Sequence, residues 1–192
     1  MTKFSILFLH LIILLLKLNK AFCIWLTGLP SSGKTTTALK LLEHFKDEGL
    51  LSVHLDGDIV RKGLNSDLGL SADDREENNR RVIHVAEIVV KNGIPVISSF
   101  ISPFKKTRNF ARTTIPEYIE VYVNTPVEVC IERDVKGLYA RALKGEIKDM
   151  TGINSPYEEP DQPDIELDTT ESNLDDNISK VIRYLSGNDY IS

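Results

Sequence analysis

The chain has 192 residues, 42% hydrophobic and 27% charged, enough for one domain with a full apolar core and short for two. Its formal net charge of −5 argues against a general nucleic-acid-binding face, so no nucleic acid is expected as partner, although basic side chains can still converge on a small anion. Two cysteines, Cys23 and Cys130, lie in apolar surroundings and read as buried free thiols; His10, His44, His54 and His84 show no zinc-ligand spacing, and no zinc site is expected.

The chain opens on an apolar run at residues 4–16, behind a lone Lys3. The run is shorter than the roughly 20 apolar residues that cross a bilayer, and closer to a signal-peptide core. No small-x-small cleavage site follows, and cleavage near Ala21 would cut into the next strand. Residues 1–19 are expected to form an extension to a domain at 20–192. Two readings of it stand: a dispensable extension or mis-called start, and a membrane-associating anchor.

Residues 22–27, Phe-Cys-Ile-Trp-Leu-Thr, are a continuous apolar run that suits a strand buried on both faces of a parallel sheet. Residues 34–48 place Ala38, Leu41, Leu42 and Phe45 at helical spacing, and Gly49 supplies the stop. A second strand, Ser52 to Leu55, runs into Asp56-Gly57-Asp58, followed by a short helix near 59–64. Ser71 and Asp74 form a capping-box pattern that opens a long helix, with Val82, Val85, Ala86 and Val89 as its buried stripe. A third strand spans Ile94 to Ser99, a helix covers about 104–114, and a fourth strand spans Tyr118 to Val123. Pro126 is expected in the first turn of another helix carrying Val129, Cys130 and Arg133. Lys136 to Ala142 reads as helical. Gly145 to Pro163 is rich in Gly, Pro and charge, and residues 136–163 together read as a mobile lid. Ile165 to Leu167 forms a last strand, and 174–186 a closing amphipathic helix. Strands alternating with helices predict an α/β fold: a three-layer sandwich around a mostly parallel five-stranded sheet.

Gly28, Gly33, Lys34 and Thr35 meet the pattern Gly-x4-Gly-Lys-Ser/Thr, directly after one strand and before a helix. Glycine permits the tight loop and leaves backbone N–H groups free to converge on phosphate oxygens. The helix N-terminus adds its positive dipole end. The expected nucleotide-holding set is Gly28, Leu29, Pro30, Ser31, Ser32, Gly33, Lys34, Thr35 and Thr36. Lys34 can neutralise the β- and γ-phosphates, and the Thr35 hydroxyl can bind Mg²⁺. No Asn-Lys-x-Asp guanine-reading motif is present, which favours ATP. The need for ATP places the domain in the cytoplasm, membrane-associated if the N-terminal run is a true anchor.

Asp56 and Asp58 follow the second strand, where carboxylates can hold an acceptor hydroxyl, accept its proton and organise Mg²⁺. Arg61 can clamp an anion there. Arg75 and Asn78, three apart, share a helix face that suits a phosphosulfate or phosphate and a base edge. Arg80 and Arg81 read equally well as a solvated face paired with Glu76 and Glu77. Ser98, Ser99 and Ser102 follow the third strand, and Ile101-Ser102-Pro103 can present backbone groups to a ligand or form a plain Ser-Pro turn.

These motifs together resemble the adenylyl-sulfate kinases (APS kinases), a family of P-loop kinases. The resemblance rests on Gly28 to Thr35, Asp56-Gly57-Asp58 with Arg61, Asp67 to Ser71 with Asp74-Arg75 and Asn78, Ser99 to Phe104, Arg133 to Tyr139, Gly145 to Lys148, Thr151 to Ile153 and Pro156 to Glu158. It covers about residues 20–186. It implies transfer of the ATP γ-phosphoryl group to the 3′-hydroxyl of adenosine 5′-phosphosulfate (APS), giving ADP and 3′-phosphoadenylyl sulfate. It further implies that Arg61, Arg75, Asn78 and the backbone at Ile101 and Ser102 hold the acceptor, with Lys136 at its lid-side edge. Asp56 and Asp58 serve the hydroxyl and the metal, Thr35 and Asp58 being the expected metal ligands. Ser102 is expected first as a binding residue and second as a nucleophile, because direct in-line transfer needs no phosphoserine. The family is commonly dimeric, which implies a homodimer.

Three positions depart from the family's pattern. Leu70 and Met150 stand where Phe is usual on either side of the acceptor adenine, and Ile59 where Asn is usual. Losing two rings implies weaker base stacking. Another nucleotide-like acceptor is therefore the second reading, and a non-catalytic nucleotide-binding subunit the third. Retention of Asp56, Asp58, Arg75 and Lys136 together argues against the third.

Overall fold

The computed structural model describes residues 20–191, so the extension expected at 1–19 lies outside the described residues. The elements are β1 (Cys23–Thr27), α1 (Lys34–Asp47), β2 (Val53–Asp56), α2 (Gly57–Lys62), α3 (Ala72–Lys91), β3 (Val96–Ser99), α4 (Lys105–Thr114), β4 (Tyr118–Asn124), α5 (Val127–Arg133), α6 (Leu138–Leu143), β5 (Ile165–Asp168) and α7 (Leu174–Gly187). Among the described residues no helix is long and apolar enough to cross a membrane.

The five strands pair in the order β2-β3-β1-β4-β5, every pair parallel. β1 is the central strand, and its alternating side chains build both cores. Phe22, Ile24 and Leu26 face α1 and α7, meeting Ala38, Leu41, Phe45, Ile178, Val181 and Leu185. Cys23 and Trp25 face α3 and α4, meeting Val82, Ile83, Ala86, Val90, Ala111 and Ile115. This explains the unbroken apolar run of β1: both faces of its strand are covered, so neither can be polar. β5 instead alternates buried Ile165 and Leu167 with exposed Glu166 and Asp168, as an edge strand does.

Two expected details are corrected. The buried stripe of α3 runs through Val82, Ile83, Ala86 and Val90, leaving Val85 and Val89 only half-buried. Residues 82–90 are apolar at nearly every position, so packing against the sheet, and not the spacing, selects the face. Pro126 stands outside α5 as its N-cap, with ψ 142°, and not in its first turn. The start of α3 is as expected: the Ser71 hydroxyl accepts from the Asp74 backbone N–H at 3.1 Å.

The chain leaves β1 between β3 and β4, where strand order reverses. Open parallel sheets bind ligands in the crevice beyond their strand ends at such a point. The phosphate-loop sequence begins there.

Candidate active site

Gly28 adopts φ 151°, and a Cβ on it would lie 2.6 Å from the Val123 carbonyl oxygen, so no other residue fits this close approach of loop to sheet. Gly33, at φ 105°, caps α1. The Lys34 ammonium is folded over its own loop, donating to the carbonyls of Gly28 at 2.9 Å and Leu29 at 2.6 Å. Burial pulls its pKa down to about 7. A buried ammonium whose hydrogen-bond partners are neutral oxygens gains strongly from an anion at the same place.

Asp56, the last residue of β2, is nearly surrounded by donors. Its Oδ2 accepts from Thr35 Oγ1 at 3.0 Å and Ser99 Oγ at 2.9 Å, and its Oδ1 from the backbone N–H groups of Asp58 at 2.9 Å and Ile59 at 3.3 Å. Burial opposes its ionisation, but these hydrogen bonds outweigh it and hold the carboxyl below the usual range. Because Ser99 gives its proton to Asp56, His54 Nε2, 3.0 Å from Ser99 Oγ, must donate to it. Burial lowers the His54 pKa and favours that neutral ring.

Asp58 behaves differently. It lies in the first turn of α2, is more than half exposed, and ion-pairs with Lys136. Of the expected metal pair of Thr35 and Asp58, Thr35 is hydrogen-bonded to Asp56 and not to Asp58. Strand β2 ends on Asp56 beside the phosphate loop, and Asp58 follows in the first turn of α2, lining the same cavity. Thr35 Oγ1 and Asp56 Oδ2 are two hard oxygen donors beside the phosphate loop, which suits Mg²⁺, an ion that takes one or two protein oxygens and completes its shell with phosphates and water.

The acceptor-side residues surround one cavity of about 560 Å³ that also reaches Pro30, Lys34 and Thr35. Arg61, Arg75, Asn78, Ile101, Ser102, Lys136, Leu70 and Met150, the residues that the family resemblance implies for the acceptor, all line it. Five cations, Lys34, Arg61, Arg75, Arg133 and Lys136, therefore face one cavity in a chain of net charge −5. Arg61 donates to the carbonyls of Leu68 at 3.4 Å and Gly69 at 2.8 Å. Arg75 donates to the Leu70 carbonyl at 2.8 Å, and also to Thr151 Oγ1 and the Asp149 carbonyl, so it joins α3 to the 149–151 turn. Arg80 and Arg81 instead form surface ion pairs with Glu77 and Asp67.

Ser102 is 1% exposed and adopts φ 44°. Its hydroxyl accepts from Trp25 Nε1 at 2.9 Å and donates to Asn79 Oδ1 at 3.0 Å. Among the described residues its hydroxyl is hydrogen-bonded to an indole and an amide and not to a general base. Asn79 in turn donates to the Arg75 carbonyl at 2.9 Å.

The segment 136–163, expected as a lid, lines the cavity through Lys136, Leu138, Ile147, Asp149, Met150 and Thr151 and shares a small core with α5. Tyr139, Cys130, Ala142 and Met150 are buried together, with Leu29 of the phosphate loop packed against them. The Tyr139 hydroxyl donates to the Pro30 carbonyl at 3.0 Å. A Cβ on Gly152 would meet Leu29 Cδ2 at 2.8 Å. The segment thus grips the phosphate loop directly.

Sequence reasoning did not single out Asn79, Arg108, Tyr139 or His54. For two of them a signal existed. Asn79 falls on the stripe of Arg75, Val82, Ala86 and Val90, and Arg108 on that of Phe104, Ala111 and Ile115. A polar side chain on an apolar stripe marks a buried hydrogen-bonding position.

The family model for adenylylsulphate kinase matches residues 20–168. An adenylyl-sulfate kinase from Halothermothrix orenii is 49% identical over 174 residues, covering 91% of this chain and 94% of the relative. Among solved structures, the APS kinase of Mycobacterium tuberculosis in complex with AMPPNP and APS is 41% identical with a TM-score of 0.83, covering 87% of this chain and 98% of that one. A hexameric APS kinase from Thiobacillus denitrificans is 28% identical with a TM-score of 0.70, covering 92% of this chain and 31% of that one.

Proposed function

The chain belongs to the adenylyl-sulfate kinase family, and from that premise we propose that it transfers the γ-phosphoryl group of ATP to the 3′-hydroxyl of APS, giving ADP and 3′-phosphoadenylyl sulfate. The observation that carries this reading is the single cavity shared by the phosphate loop, two carboxylates and the basic residues Arg61, Arg75 and Lys136. A phosphate loop alone would serve any nucleoside triphosphatase. A second cationic group lining the same cavity as the loop calls for an acceptor that is itself an anion.

In this reading the backbone N–H groups of residues 28–36 and Lys34 hold the β- and γ-phosphates. Thr35 and Asp56 would hold Mg²⁺, which would supply charge that neutralises the phosphates. Asp58, close to Asp56 but less tightly bonded, faces the acceptor hydroxyl and accepts its proton as the phosphoryl group arrives. Lys136, ion-paired with Asp58, orients its carboxylate until then. Arg61, Arg75 and Asn78 hold the phosphosulfate and base, with Leu70 and Met150 as apolar walls. The covering segment 136–163 acts as a lid that excludes water, which would otherwise compete as acceptor. The protein works in the cytoplasm as a homo-oligomer, a dimer by family resemblance.

A second reading, transfer to another nucleotide-like acceptor, is favoured by the aliphatic Leu70 and Met150. An acceptor panel separates the two. APS should give the highest kcat/KM among 5′-nucleotides offered with ATP and Mg²⁺, and the product should carry a new 3′-phosphate by mass spectrometry. Another nucleotide surpassing APS would replace the first reading with the second.

A further inference from the structure

The loop after β3 is where the acceptor meets backbone, and its conformation is not one that Ser102 adopts freely. A serine at φ 44° in a tight turn must be held by its surroundings. Four groups hold this turn. Thr27 Oγ1 donates to the Ile101 carbonyl at 2.7 Å, which obliges the Tyr157 hydroxyl, 2.9 Å away, to donate to Thr27. Trp25 and Asn79 take the Ser102 hydroxyl. The Ser102 carbonyl accepts from Arg108 Nη1 at 2.6 Å.

Arg108 does more than bond one carbonyl. It is 3% exposed, and its Nη2 donates to the Glu158 carbonyl at 2.6 Å, in the last part of the covering segment. Its Nε lies 2.8 Å from Glu120 Oε1 on β4, a charge contact off the hydrogen-bond line. Its guanidinium carbon sits 5.8 Å from the centre of the Tyr157 ring. One planar cation thus joins the acceptor turn, the sheet and the covering segment. Only a guanidinium has the donors for this; an ammonium is a point charge with no fork. Arg108 does not line the cavity.

We infer that Arg108 is a positioning residue for the phosphoryl acceptor: it fixes the Ile101–Ser102 turn and ties it to Glu158, so that turn and cover are placed as one unit. The inference rests on the proposed acceptor site. It assigns Arg108 to acceptor binding and not to the nucleotide, because the phosphate loop and α1 make none of these contacts.

The test compares steady-state KM for APS and for ATP in Arg108→Lys, in the paired Arg108→Met with Glu120→Met, and in the control Arg112→Lys. Arg108→Lys keeps the charge opposite Glu120 and loses the fork. The paired variant removes both buried charges and leaves neither unpaired. Arg112 also pairs with Glu120, at 3.2 Å, but does not reach the turn. Expected is a rise in the KM for APS of roughly tenfold or more in both Arg108 variants, with the KM for ATP held within about twofold. Arg112→Lys should leave both constants as they are. Folded variants with an unchanged KM for APS would overturn the inference, as would equal rises for both substrates. Loss of folding in both variants, judged by thermal melting, would make Arg108 a residue of the fold alone and equally overturn it. Absence of APS-dependent turnover in the wild-type protein is a separate outcome and would sink the function proposed above.

Discussion

The Thr35 hydroxyl donates to Asp56 Oδ2 across 3.0 Å, joining the first turn after the phosphate loop to the end of β2. That contact divides the labour between the two aspartates. Asp56 is buried, multiply bonded and committed to the loop, and Asp58 is exposed and paired with Lys136.

Asp56→Asn should keep the shape of the site and lose its charge. The amide places an N–H₂ group where two hydroxyls or two backbone N–H groups now donate, so some donors lose their acceptor. We expect kcat to fall by roughly 10²-fold or more at saturating Mg²⁺, with a stability loss of about 1–3 kcal/mol in urea denaturation. Near-normal kcat would contradict the role given to Asp56.

Lys136→Ala should separate activity from stability. The ion pair with Asp58 is more than half exposed on both sides, so its net contribution to folding is about 0–1 kcal/mol. Turnover should nonetheless fall by at least about tenfold, since the carboxylate loses its orienting partner. Parallel thermal melts and initial rates check this, and a variant as active as wild type would refute it.

Leu70→Phe should tighten acceptor binding. Leu70 is 49% exposed at the cavity wall, so a ring fits without displacing core atoms. Base–aromatic stacking is worth about 1–3 kcal/mol, which predicts a KM for APS lowered by about fivefold or more. Met150 is only 5% exposed within the core of the covering segment, so Met150→Phe should instead cost stability by overpacking. A rise in KM with Leu70→Phe would show that this wall does not face the base.

Tyr139→Phe removes only the hydroxyl that donates to the Pro30 carbonyl. The expected loss is about 1 kcal/mol of stability, accompanied by a higher KM for ATP and an unchanged KM for APS, because the bond holds the phosphate loop and not the acceptor turn. Equal effects on both substrates would contradict that assignment.

Much of this was legible in the chain because the chemistry is local. The run from Cys23 to Thr35 encodes strand, loop and helix within a few residues, and Ser71 with Asp74 encodes the start of α3 in the same way. Family resemblance and spacing picked out Arg61, Arg75, Asn78 and Lys136, which the fold brings to one cavity. What spacing could not show is long-range. Trp25 meets Ser102 across 77 positions, and Arg108 reaches Glu158 across 50. Such partners share no period, and their meeting depends on strand order. The same holds for the face of α3, where an apolar residue at almost every position leaves the choice between Val89 and Val90 to packing.

The central claim is phosphoryl transfer to APS at the joint cavity. The measurement that tests it most directly is APS-dependent ADP release from ATP and Mg²⁺ by the purified protein, with Lys34→Ala alongside. ADP release should require APS and be abolished by Lys34→Ala while the variant still melts cooperatively. Folded wild-type protein that releases no ADP in response to APS, or a Lys34→Ala variant that turns over as wild type does, would contradict it.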